Sequence, residues 1–149
     1  MTPRSRVGVL AACAWLVVGC NSDLPMPAVA VVVPATELTV TRVATHPFLA
    51  RFNLTLTVKA HGCSVSSDLF PDTGGVSRRN LYRDLSGGLY MIGQFDVRRF
   101  DPRSCVIELI EFRSVEPGLR YLGTFDSDDT GRWTFFPAEK RSERPFEPL

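Results

Sequence analysis

Residues 50–60 read ARFNLTLTVKA, and their alternation decides the fold class. Ala50, Phe52, Leu54, Leu56, Val58 and Ala60 take every second position, against Arg51, Asn53, Thr55, Thr57 and Lys59. Successive side chains of an extended backbone point to opposite faces, so this segment has one face for a core and one for water. Wound into a helix, the same apolar side chains would scatter around the circumference. A β-strand is therefore expected here, and a strand with one apolar face needs a second layer to cover it.

Working outward, the apolar run Val29–Val33 and the Thr/Val-rich run Leu38–Val43 flank Pro34, which reads as two strands or one broken edge strand. Four further extended runs follow. Leu89–Val97 places Leu89, Met91, Phe95 and Val97 on one face. Cys105–Phe112 is apolar on both faces and is expected to lie centrally in its sheet. Leu119–Phe125 and Arg132–Phe136 flank the turn-rich DSDDTG of residues 126–131, a hairpin signal. Residues 76–88, VSRRNLYRDLSGG, read as one short helix, with Ser77 capping it, Leu81 and Leu85 sharing a face and Gly87 ending it.

About seven short strands and at most one short helix predict an antiparallel β-sandwich over residues 29–136. An immunoglobulin-like topology is open to such a chain. Immunoglobulin domains, however, set a core tryptophan against their disulfide, and here Trp133 lies near the end. Residues 137–149 hold three prolines and a dense run of charges without periodicity, which predicts a flexible tail.

Seventeen basic residues nearly cancel 16 acidic ones, which gives no overall electrostatic reason to bind nucleic acid. The apolar residues are unevenly spread. Arg4 and Arg6 precede VGVLAACAWLVVGC, residues 7–20, a stretch without charge. A cationic start followed by about 7–15 apolar residues is a targeting segment rather than a span of a bilayer about 30 Å thick. Val17-Val18-Gly19-Cys20 resembles the lipobox of bacterial lipoproteins, with Val17 where leucine is commoner. The resemblance covers the first 20 residues or so. It implies removal of residues 1–19 as a signal peptide, lipidation of Cys20, and anchoring by several acyl chains at about 0.8 kcal/mol per buried methylene. Asn21 in place of aspartate favours the outer membrane, facing the periplasm. Residues 20–28 then form the lipidated cysteine and a proline-bearing tether. Loss of Arg4 and Arg6 also leaves the mature chain with fewer basic than acidic residues.

Of four cysteines, Cys13 lies in the apolar stretch and Cys20 at its end. An isolated remaining pair, Cys63 and Cys105, in an exported domain is most simply a disulfide. A thiol role prompted by His61-Gly62-Cys63 would need an orienting third group, and the other histidine, His46, sits before Pro47 in a turn-like stretch.

Three groups of residues carry candidate chemistry. Arg78, Arg79 and Arg83, with Arg98, Arg99 and Arg103, offer guanidinium forks suited to phosphate or carboxylate, hence to an anion or an acidic partner. Ion pairing with Asp84, Asp96 and Asp101 is the alternative. Asp126, Asp128 and Gly131 begin a calcium-loop pattern that fails at its twelfth position, Pro137, so these two aspartates are weak metal candidates and no resident metal or cofactor is expected. Trp133, Phe135 and Phe136 suit a core more than a sugar-binding floor. Common catalytic motifs are missing from the sequence, and Glu108 and Glu111 would face opposite ways on a strand. The expectation is a membrane-anchored binding or scaffolding component of the cell envelope that works through protein–protein contacts. An inhibitor or immunity protein is the alternative, with a small hydrolase or glycan-binding module below it.

Overall fold

The computed structural model describes residues 28–115 and 117–146. The lipobox residues Val17 to Cys20 and most of the tether lie outside them. Ten strands form two antiparallel sheets: β1 (Val29–Val33), β2 (Thr36–Ala44), β3 (Phe52–Ala60) and β4 (Cys63–Asp68) in the first, and β5 (Arg79–Arg83), β6 (Leu89–Ile92), β7 (Val97–Asp101), β8 (Val106–Ile110), β9 (Arg120–Ser127) and β10 (Trp133–Pro137) in the second. The expected sandwich is present.

The two sheets divide the chain sequentially, the first four strands in one and the last six in the other. The first sheet runs β1-β2-β3-β4 and the second β10-β9-β5-β6-β7-β8. Immunoglobulin domains instead interleave early and late strands between sheets, so that topology does not apply. Within the second sheet, β5 to β8 form a meander and β9 returns to the far side of β5, a Greek-key closure.

The alternation of residues 50–60 appears as β3, in register with β2 through Leu56 opposite Val40 and Val58 opposite Leu38. These four side chains are buried, and Leu81, Leu89, Met91, Phe100, Phe125 and Trp133 meet them from the second sheet. Trp133 is a core residue whose indole N–H donates to the Val40 carbonyl across the sheets, 3.2 Å away. Pro34 separates two paired strands through a tight turn. It supplies the fixed φ of the first corner, and Ala35 takes the left-handed second corner at φ 62°.

Residues 76–88 do not form a helix. They contain β5, placed between β9 and β6. Leu81 points to the core, and Asn80 and Tyr82 point to the opposite face, where both are also buried; Leu85, assigned above to an inner helical face, is fully exposed. The run 89–97 is two strands, because Gly93 to Asp96 turn the chain and the Gly93 N–H bonds the Asp96 carbonyl. The run 105–112 yields β8 at the edge of its sheet rather than at its centre. Both its faces are apolar because Ile107 joins the main core while Ile110 meets a second cluster behind the sheet.

That second cluster accounts for the C-terminal segment. Tyr82, Tyr90, Ile92 and Val97 are covered on the outer face by Phe112, Val115 and Leu119 of the β8–β9 crossover and by Phe146. Contrary to the expected flexible tail, residues 138–146 lie back along this face. The Asn80 amide donates to the Arg144 carbonyl at 2.9 Å and the Tyr82 hydroxyl to the Glu143 carboxylate at 2.9 Å. Charges that looked unpatterned in the sequence are long-range partners of β5 and β9.

Cys63 opens β4 and Cys105 precedes β8, and their sulfurs are bonded with Cα atoms 6.0 Å apart. The bond ties an edge of the first sheet to an edge of the second.

Candidate functional site

Antiparallel pairing brings the β2–β3, β6–β7 and β9–β10 turns, the β4–β5 connection and the end of the C-terminal segment to one end of the sandwich. A cleft of about 460 Å³ opens there, lined among others by Arg42, Asp72, Arg78, Asp126, Ser127 and Arg144.

Arg42 occupies a core-facing position of β2, in phase with Thr36, Leu38 and Val40. Its guanidinium lies over the Phe52 ring at 3.4 Å and near Trp133 at 5.2 Å, and Nη1 donates to Ser127 Oγ at 3.1 Å. It is 7% exposed, and its Nε has no hydrogen-bond partner among the described residues. Burial lowers the pKa of Arg42, opposed by the charges of Asp72 and Asp126. Desolvation disfavours the charged form, but an arginine stays protonated at neutral pH.

Asp72 closes the inner wall. Its carboxylate accepts the N–H groups of Gly74 and Gly75, at 2.9 and 2.8 Å, and the Ser77 hydroxyl. Burial pushes its pKa up, but these hydrogen bonds and the charge of Arg42 outweigh that and hold it below the usual carboxylate range. Ser77, expected to cap a helix, instead anchors this loop.

Asp126 faces the outer side of β9 and holds the C-terminal segment through Arg141 at 2.9 Å and Arg144 at 3.0 Å. Arg141 also covers the Phe136 ring at 3.4 Å. Asp128 organises the β9–β10 turn by accepting from Thr130 and Arg132, the Thr130 hydroxyl foremost, which brings its pKa down to about 2. The two aspartates named as weak metal candidates are thus engaged by a tail and a turn. Among the described residues no group of three His, Cys, Asp or Glu side chains could hold a metal ion.

The arginines named from the sequence do not form one patch. Arg79 is buried in the core-facing layer, where it donates to the carbonyls of Phe70, Ser77 and Arg78 and pairs with Asp96 at 3.8 Å. It folds the β4–β5 connection. Arg98 pairs with the other oxygen of Asp96 at 3.5 Å, while Arg99 lies 5.9 Å from the Tyr90 ring on the outer face. Arg83 ends β5 away from the cleft. Only Arg78 reaches the cleft, with its guanidinium over Phe146 at 4.3 Å. Arg42 and Arg144 were not singled out in the sequence, although Arg42 carries a readable signal, a charge at an apolar position of an alternating strand.

The chain matches no protein-family model, no curated protein and no solved structure. Its function must be read from its own residues.

Proposed function

We propose that the chain is a lipid-anchored protein of the bacterial envelope, probing its surroundings as a binding or scaffolding component through the loop end of its sandwich. One observation carries the binding surface. Phe48, Leu49, Phe70 and Phe95 are exposed on three different connections at that end, Phe48 by 90%, and Phe70 and Phe95 lie 5.2 Å apart. Large apolar side chains held in water beside a charged cleft match the composition of a protein contact, with aromatic anchors inside a polar rim. The lipobox-like Val17-Val18-Gly19-Cys20 supports the anchor. The eight residue-to-residue steps from Cys20 to Ala28 reach at most about 29 Å, so a domain on that tether works close to the bilayer, and the outer-membrane leaflet facing the periplasm is its proposed address.

Two experiments separate anchor from surface. Wild-type protein should partition into detergent and Cys20→Ala into the aqueous phase; aqueous partitioning of both refutes the anchor. A photo-crosslinker at Phe48 should capture a defined envelope protein in intact cells that one at Thr57, on the polar outer face of β3, does not. Equal capture from both positions refutes the loop end as the contact surface.

A further inference from the structure

We infer that the arginine-lined cleft is a binding site for a phosphoryl group, with Arg42, Arg78 and Arg144 as its cationic wall. The inference rests on charge and geometry at the cleft and is independent of the lipid anchor.

Three guanidiniums line the cleft with two carboxylates, Arg42, Arg78 and Arg144 against Asp72 and Asp126, and Arg141 stands in the adjoining recess that shares Asp126, Ser127 and Arg144. Asp126 alone pairs with both Arg141 and Arg144. Asp72 is turned inward by Gly74, Gly75 and Ser77. Neither Arg42 nor Arg78 has a carboxylate within ion-pair distance among the described residues. Buried charges are ordinarily paired, and Arg42 is more than nine-tenths buried. Arg78 is also disfavoured as a cation, first by burial and then by repulsion from Arg144, which the charge of Asp126 only partly offsets. Two adjacent, incompletely compensated arginines on a concave wall define a place where an anion lowers the energy of the protein.

The surplus selects the anion. It amounts to one formal charge in the cleft and two with Arg141 of the adjoining recess, and a phosphate monoester carries about −1.5 to −2 at neutral pH. The arginines approach from three segments, β2, the residue before β5 and the C-terminal segment. That arrangement suits a tetrahedral group with three free oxygens; a planar carboxylate is satisfied by a single guanidinium fork. Ser127, whose oxygen accepts from Arg42, adds a hydroxyl to the lining, and Ala50 and Val76 add an apolar side for the organic part of an ester. The phosphoryl group can belong to a soluble ester or to a lipid headgroup.

Full-length protein in detergent, titrated calorimetrically with inorganic phosphate and glycerol 3-phosphate, should bind one equivalent saturably, and acetate at equal ionic strength should not compete. Arg78→Gln and Arg144→Gln should each weaken binding at least tenfold, whereas Arg113→Gln, at an exposed arginine paired with Glu111, should leave it unchanged. Arg144 is largely exposed, so its variant stays folded even if a cleft substitution at Arg78 does not. Binding of the soluble phosphates supports a free ester as the source. Binding confined to phosphatidylcholine vesicles containing phosphatidic acid, and lost in Arg144→Gln, supports a headgroup. Absence of saturable binding to either, equal competition by acetate, or wild-type affinity in both cleft variants overturns the assignment.

Discussion

Replacing Cys63 and Cys105 together by alanine should cost about 4 kcal/mol of stability. The bonded residues are 42 apart in sequence, and closing a loop of that length removes about 13 cal/mol/K of entropy from the unfolded chain, about 4 kcal/mol at 25 °C. For a domain with a total of about 5–15 kcal/mol, that is a quarter or more of what holds it folded. The melting temperature should fall by about 12–20 °C, taking about 3–5 °C per kcal/mol at this size. The sheets also lose the covalent tie between β4 and the start of β8, so amide exchange should accelerate first in those two edge strands. Urea unfolding of the oxidised protein and the double variant measures the difference directly. Pairing Cys63→Ala with Cys105→Gly separates the bond from the backbone, since residue 105 sits at φ 57°; glycine there should recover about 0.5–1 kcal/mol relative to alanine. The reasoning fails if the double variant loses less than about 1 kcal/mol, or if non-reduced wild-type protein presents two alkylatable thiols.

Other substitutions probe the second layer and the joints. Trp133→Phe removes the N–H that reaches the Val40 carbonyl and shrinks a fully buried side chain; a loss of about 1–3 kcal/mol in urea unfolding is expected. Asn80→Ala should release the C-terminal segment, because its amide holds both Tyr82 and the Arg144 carbonyl; limited proteolysis after Lys140 or Arg141 should become fast, and unchanged resistance would count against the docked segment. Gly123→Ala places a Cβ against the Phe136 carbonyl oxygen at φ 149°, so the β9–β10 hairpin must distort, with an expected cost of several kcal/mol by the same assay. Asp72, Asp84 and Asp128 are held below their unfolded pKa values. Each therefore stabilises the fold above about pH 4 and loses that contribution as pH falls through its folded value. The urea midpoint should be flat from pH 7 to 5 and decline between about pH 4 and 2, less steeply in Asp128→Asn; a midpoint constant down to pH 2 would refute the assignment.

Where local pattern and tertiary environment agree, the fold is legible from sequence: β3 alternates without a fault and is found as read, and the hairpin around residues 126–131 follows from its turn chemistry. β4, with the sequence CSVSSD, passed unseen because an edge strand with one core valine has almost no apolar periodicity. β5 imitated a helix through Leu81 and Leu85 at helical spacing. The competing interaction, Asn80 bonded to a carbonyl 64 residues away, has no local signature. The turn at residues 93–96 was masked because Phe95 preserves the odd-position phase of Leu89, Met91 and Val97 while itself facing solvent. The candidate site was legible only in part for the same reason. Arg78 belongs to an arginine cluster visible in the chain, but Arg42 and Arg144 join it only after both sheets have closed and the last residues have folded back.

The division of the chain into a first and then a second sheet also sets a timetable for folding. As the chain emerges from its N-terminus, residues 29–68 can pair completely as three successive hairpins before any of the second sheet exists. Contacts this local close quickly, yet the resulting sheet bares Leu38, Val40, Leu54, Leu56 and Val58 until its cover arrives. Cys63 likewise waits for Cys105, and β5 for β9, whose residues come about 40 positions later. The half-finished protein is an open sheet with one greasy face. A chaperone acting on this chain therefore has a defined client, the first four strands, and a defined moment of release, when β9 and β10 close over them.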